Sequence, residues 1–99
     1  MPKIYEYIGI TILFFSDEHD PIHIHCIYGG AILKVSFFVS NGKITRTTYK
    51  KVAGSFPSSK LKKLKTFISE YKYQIVQRWI EYFIEHKNVE CKRITKQLR

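Results

Sequence analysis

A Gly-Gly pair between two runs of alternating residues constrains the fold of this chain more than any other feature. Gly29 and Gly30 accept the positive φ angles of a type I′ turn, so they predict a hairpin with a two-residue loop. That loop pairs residues that are mostly apolar: Tyr28 with Ala31, Cys26 with Leu33, Ile24 with Val35, and Ile22 with Phe37. The intervening pairs lie on the opposite face: His25 with Lys34 and His23 with Ser36. The first face is therefore expected to pack on the core, and the second to be exposed.

A second hairpin turn is predicted at Asn41 and Gly42, again a favoured type I′ pair. Continuing the count gives three further expected pairs: Thr47 with Ser36, Tyr49 with Lys34, and Arg46 with Phe37. Tyr49 then joins the polar face beside the histidines. The last pair would place an arginine on the apolar face, so this strand is expected to lie at an edge or the loop to be longer than two residues.

The rest of the chain divides into a strand-forming part and a helix-forming part. Residues 1–52 are mainly β-branched, aromatic and alternating, which is typical of strands. Over residues 58–87, apolar residues recur at three- and four-residue spacing, and Ser58 or Ser59 is a candidate N-cap. One helix of that length is long for such a domain, so we expect a break near residues 71–73. Residues 88–99 form a basic tail that is frayed, adds a strand or binds a partner.

These elements predict a single α+β domain over residues 1–99. Its expected core is a small antiparallel sheet of four to five strands, with one or two C-terminal helices packed on one face. The sequence shows no pattern typical of a secretory signal peptide, so we expect a cytoplasmic location and no contact with a membrane. Cys26 and Cys91 are then expected to be free thiols.

Positive charge is concentrated in the second part of the chain, and the net charge is +9. Residues 1–40 carry two lysines against four carboxylates, whereas residues 41–99 carry fifteen Lys or Arg residues against four carboxylates. A small basic domain attracts polyanions, so nucleic acid or an acidic partner protein is expected. The lysines at the start of the helical segment are the predicted nucleic-acid-binding residues: Lys60, Lys62, Lys63 and Lys65.

Three histidines lie close together before and within the first hairpin: His19, His23 and His25. His23 and His25 are two residues apart on a strand, so both point to the same side, about 6.6 Å apart along the backbone. One imidazole can remove the proton of a ribose 2′-OH while another protonates the leaving oxygen, and Lys34 or Tyr49 can stabilise the phosphate charge. This interpretation predicts a ribonuclease that needs no cofactor.

Two other interpretations use the same residues. In the first, His19, His23 and His25 bind zinc or another first-row divalent ion, with Glu18 as an oxygen ligand. In the second, the histidines fix the local geometry or line an interface, and the domain binds nucleic acid or a partner without any chemistry. An exposed sheet face of this kind can also join two copies of the chain.

Several segments together resemble a bacterial family catalogued as domain of unknown function 4160. They are Met1-Pro2-Lys3-Ile4, the run from Phe15 to His25, the following Tyr28-Gly29-Gly30, and Trp79. The resemblance covers most of the chain and implies a small α+β domain with histidines at the positions of His19, His23 and His25. It also implies a second small protein encoded nearby, as in proposed toxin–antitoxin modules. A basic, RNase-like toxin with an acidic antitoxin-like partner would fit the charge distribution.

Overall fold

The computed structural model describes residues 3–14 and 22–95, which form six strands and one helix. The elements are β1 (Lys3–Tyr7), β2 (Ile10–Leu13), β3 (Ile22–Tyr28), β4 (Ala31–Ser40), β5 (Lys43–Ala53), α1 (Ser58–Phe83) and β6 (Lys92–Ile94). All strands belong to one sheet in the order β5-β4-β3-β2-β1-β6. The α+β class is therefore confirmed, but the sheet is larger than expected, and it is mixed because β6 pairs with β1 in parallel.

The first hairpin has the predicted register in full. β3 and β4 pair residue by residue from Ile22 opposite Phe37 to Tyr28 opposite Ala31. The predicted turn type is wrong, however. Gly29 has a φ of 58°, whereas Gly30 has no positive φ, and one positive φ at the first loop position is the pattern of a type II′ turn.

The second hairpin differs from its predicted register by one residue. Asn41 and Gly42 do form the two-residue turn, with φ angles of 53° and 77° and with Ser40 opposite Lys43. The register then shifts between Phe38 and Val39, because β5 carries an extra residue there. This bulge moves Arg46 opposite Phe38 and away from the apolar face, which resolves the conflict in the sequence-based register.

Helix α1 runs without a break through residues 71–73, so the predicted interruption is wrong. The buried positions continue on both sides of the expected break, from Leu64 to Trp79. Tyr71 contributes to the same face, since its ring stacks on Phe67 with 4.5 Å between centroids. The predicted serine N-cap is also wrong. Pro57 occupies the N-cap position, and no side chain caps the helix there.

One face of the sheet, the helix face, packs against α1 and forms the hydrophobic core. Large side chains fill this interface from both sides, including Tyr7 and Phe67, whose rings stack at 4.9 Å. Cys26 is fully buried on this face, and both Cys26 and Cys91 are free, as predicted. The opposite side of the sheet, called here the histidine face, carries His23 and His25.

Candidate functional site

The histidine face contains a compact arrangement of polar side chains in two rows that cross β3, β4 and β5. Residues directly opposite each other in an antiparallel pair share a face, so the ladder registers define these rows. The first row is His25, Lys34 and Lys50, and the second is His23, Ser36 and Thr48. Neighbouring strands lie about 4.8 Å apart and alternate residues about 6.8 Å apart, so all six side chains fall within reach of one small ligand or one nucleotide unit.

Burial increases across these rows from β5 to β3. Lys50 is exposed and Lys34 is intermediate, whereas His25 is only 6% exposed. In the second row, Thr48 is intermediate and His23 is 5% exposed. The expectation that this face presents exposed histidines is therefore wrong. Alternation in the sequence reports the face on which a residue lies but not its depth.

The two imidazoles lie close to each other, as their spacing on β3 predicts. Their ring centroids are 5.6 Å apart and the ring planes meet at 73°. A hydrogen-bonded atom lies about 4 Å from the centroid of an imidazole ring, so both rings can contact a single group placed between them. This geometry suits two proton transfers at one reacting centre, and it also suits two ligands of one metal ion.

Burial, with the neighbouring His23 and Lys34 as smaller causes, lowers the pKa of His25 from the ordinary 6.5 to about 4. His25 is therefore a neutral imidazole at physiological pH. A neutral imidazole accepts a proton or binds a metal ion, but it cannot act as a general acid. The lowered pKa of His25 is therefore compatible with a proton acceptor or a metal ligand, and not with a proton donor.

Lys34 and Lys50 face each other directly across β4 and β5. Like charges in opposed positions destabilise a strand pair. Within the described parts of the chain, neither lysine forms an ion pair with a carboxylate. The row therefore places two ammonium groups beside a neutral imidazole, an arrangement that favours an anion.

Tyr49 lies on the helix face, so its predicted position beside the histidines is wrong. The bulge in β5 places it opposite Val35, and Lys65 of α1 lies over its ring, with Nζ 5.1 Å from the centroid. Burial and the nearby Cys26 raise the pKa of Tyr49 to about 12. Its hydroxyl is thus a weak acid on the wrong side of the sheet for the histidine site.

The lysines at the start of α1 are also separated from the histidines, because the sheet lies between them. Lys60 donates a hydrogen bond to the carbonyl oxygen of Ile8 at 2.9 Å and lies over the ring of Tyr28. Lys62 and Lys65 are exposed on the helix. A nucleic acid held by these residues would lie on the face opposite His23 and His25.

Two of the predicted metal ligands, His19 and Glu18, lie outside the described residues. Over residues 3–14 and 22–95, no three His, Cys, Asp or Glu side chains converge as a metal site. In that part of the chain, His23 and His25 are the two predicted ligands that come together.

The sequence-based register placed the wrong residues of β5, Thr47 and Tyr49, on the histidine face. Thr48 and Lys50 occupy places in the two rows, and Arg46 follows them with its guanidinium 4.4 Å from the centroid of the Phe38 ring. The signal was the alternation of Arg46, Thr48 and Lys50, but the register chosen without the bulge assigned these residues to the other face.

Comparison with known protein families identifies a match. The family model described as Domain of unknown function (DUF4160) matches residues 9–80. No curated protein matches the chain, and no solved structure matches it. The described residues also include no helix that combines the length and the apolar character of a membrane span.

Proposed function

The chain belongs to the DUF4160 family, for which no function is described, and from that premise we propose that it is a toxin-like ribonuclease of a two-protein module. The observation that carries this proposal is the pair of imidazoles at 5.6 Å beside Lys34, with His25 held neutral. Cleavage of RNA at a ribose 2′-OH needs a base, an acid and a cation, and this site supplies all three types of group.

In the proposed reaction, His25 removes the proton of the 2′-OH, and the 2′-oxygen attacks phosphorus to form a 2′,3′-cyclic phosphate. The bond to the 5′-oxygen breaks, and a protonated His23 donates the proton that this leaving oxygen takes up. Lys34 stabilises the charge on the non-bridging oxygens. A bound phosphate also offsets the charge of Lys34, which would make His25 a stronger base during the reaction.

The toxin-like role is supported by the net charge of +9, which suits both an RNA target and a small acidic antitoxin-like partner. In this proposal the partner neutralises the toxin by covering its basic surface. Expression without the partner would then inhibit growth and degrade RNA, and coexpression with it would restore growth.

Cleavage of a synthetic RNA by the purified chain tests the chemistry, with EDTA present in one arm. We expect cleavage that resists EDTA and disappears when 2′-O-methyl groups replace the 2′-hydroxyls. His23→Gln and His25→Gln should each abolish it while circular dichroism shows a folded protein. His86→Asn is the matched control, because His86 is exposed, follows α1 rather than lying in the sheet, and has a positive φ that asparagine tolerates. Full cleavage by either folded glutamine variant would refute the mechanism.

A second candidate function is metal binding, which the same two observations favour. A neutral imidazole is the form that binds a metal ion, and tetrahedral coordination by two imidazoles places their ring centroids about 5 to 6 Å apart. This function predicts about one zinc or similar ion per chain after purification without a histidine tag, and loss of the metal in His23→Gln. A chain that takes up no metal from a zinc-containing buffer would refute it.

A further inference from the structure

β5 presents every second side chain to the histidine face over its central part. Arg46, Thr48 and Lys50 lie opposite Phe38, Ser36 and Lys34, respectively. Because alternate residues of a strand are about 6.8 Å apart, the two cationic groups flank the hydroxyl of Thr48 along roughly 13 Å of strand. This line of side chains, called here the β5 track, includes the last residue of each row, Thr48 and Lys50, and extends beyond them to Arg46.

All charged residues of β5 are positive. Its eleven residues, Lys43–Ala53, contain four Lys or Arg residues and no acidic residue. Lysines are common on edge strands because they prevent pairing between copies of a protein, and β5 is an edge strand. That explanation does not extend to Lys34, which lies on the inner strand β4 and faces Lys50. A bound anion would relieve the repulsion between these two ammonium groups.

The exposure of the side chains on this face falls from β5 towards β3. Lys50 and Arg46 are exposed, whereas His23 and His25 are buried. A ligand that reaches the imidazoles from β5 meets the β5 track first. At one end of the track, the guanidinium of Arg46 lies over the ring of Phe38, a pair that can also stack on a nucleobase.

We propose that the β5 track holds the backbone of a single-stranded RNA, with Lys34 and Lys50 clamping the phosphate that enters the histidine site. The inference rests on the proposed ribonuclease function and defines its substrate as unpaired RNA. Single strands suit this surface because their phosphates follow an extended groove and their bases stack on exposed aromatic and guanidinium groups. The lysines of α1 have no part in this binding, because the sheet separates them from the site.

Two double variants compare the two basic surfaces at equal net charge. Arg46→Gln with Lys50→Gln alters the β5 track, and Lys62→Gln with Lys65→Gln alters the helix surface. The probe is a fluorescein-labelled, fully 2′-O-methylated 12-nucleotide RNA of mixed sequence, which this mechanism cannot cleave. Its Kd is measured by fluorescence anisotropy over a series of salt concentrations, and a hairpin of the same composition serves as the double-stranded comparison.

We expect the β5 variant to weaken binding of the single strand about tenfold or more and to reduce the salt slope by roughly 1.4, or 0.7 per lost phosphate contact. The helix variant should change the Kd by less than about twofold, and the hairpin should bind more weakly than the single strand. Equal weakening by both variants, a larger effect of the helix variant, or no binding by the wild type would overturn the inference. Binding through β5 without cleavage of ordinary RNA would instead refute the proposed ribonuclease and leave the binding site standing.

Discussion

The chemistry available to this protein depends most on the position of His25. Its imidazole lies on β3, beside His23 and Lys34. Burial, His23 and Lys34 each disfavour the charged form of the ring. The sequence Ile22-His23-Ile24-His25 places the ring on the polar side of a strand but does not specify this burial. A residue that resembles a surface histidine in the sequence is therefore a buried, neutral imidazole in the folded chain.

The lowered pKa of His25 predicts a specific pH dependence of stability. In the unfolded chain, an ordinary histidine gains its proton near pH 6.5, whereas folded His25 gains it near pH 4. The unfolded state thus binds more protons between these two values, so the free energy of unfolding should rise with pH in that window and lose this contribution below it. Urea unfolding between pH 4 and pH 7, performed on wild type and His25→Gln, measures the effect.

The difference between the two proteins isolates His25, since the other three histidines are present in both. The wild type should lose more stability than His25→Gln as the pH falls from 6.5 towards 4. Parallel stability curves would mean that His25 titrates as an ordinary exposed histidine and would remove the argument for its role as a base.

Lys34 and Tyr49 give opposite predictions, although the sequence suggested the same role for both. Lys34→Gln removes a cation beside His25 and should lower kcat/KM for RNA cleavage by roughly 10- to 100-fold. Tyr49→Phe alters a hydroxyl on the helix face and should keep kcat/KM within about twofold of the wild type. A strong loss of activity in a folded Tyr49→Phe variant would contradict the register of β5.

At the level of elements, the bulge in β5 determines which side chains share a face with the histidines. A shift of one residue exchanges the two faces of a strand, so the single extra residue between the turn and Arg46 decides the faces of Tyr49 and Lys50. The turn residues Asn41 and Gly42 fix the start of the strand but not its later register. In the sequence, the sign of this bulge was the predicted position of Arg46 on the apolar face, which followed from counting residues from the turn.

The continuity of α1 makes a second prediction at this level. Lys72 lies within the segment where a break between two helices was expected. Proline there would remove a backbone hydrogen bond and clash with the preceding turn, so Lys72→Pro should lower the free energy of unfolding by about 3 kcal/mol or more. Thermal and urea unfolding monitored by circular dichroism measure this loss.

Lys72→Ala is the matched control. It should change stability by less than about 1 kcal/mol, because it removes a half-buried side chain and its contact with the ring of Tyr73 at 5.7 Å but keeps the helix backbone. If Lys72→Pro were as stable as Lys72→Ala, the chain would tolerate a break at this position, and the helix would behave as two independent segments.

At the level of the whole molecule, the two ends of the described chain meet in the sheet. β6 pairs with β1, and Arg93 forms an ion pair with Glu6 at 3.1 Å. Ile94 also packs against the core. Removal of residues 91–99 should therefore lower stability by more than the roughly 1 kcal/mol that an exposed ion pair contributes at most. Urea unfolding of the shortened chain checks this value.

Arg93→Gln separates the ion pair from the strand pairing, since it retains the backbone of β6. Its expected loss is below about 1 kcal/mol, smaller than that of the deletion. Equal losses in the two proteins would show that β6 contributes its charge alone and that the pairing with β1 adds no stability.

The sequence by itself determined the features that depend on neighbouring residues. Alternation across Gly29 and Gly30 specified the register of the first hairpin, and the spacing from Leu64 to Trp79 specified the buried side of the helix. The family match over residues 9–80 agrees with the resemblance seen in the sequence. These features are local because turn geometry and side-chain periodicity act over a few residues.

The tertiary structure alone decided the features that depend on distant residues. His23 and His25 are buried, the bulge in β5 exchanges Tyr49 for Lys50 beside them, and the packing of α1 places its lysines beyond the sheet. The burial of a residue and the face on which it lies depend on contacts between segments far apart in sequence. No local pattern specifies these contacts. The histidines of the candidate site could therefore be identified from the sequence. Their burial, and the positions of Arg46 and Lys50 beside them, required the folded structure.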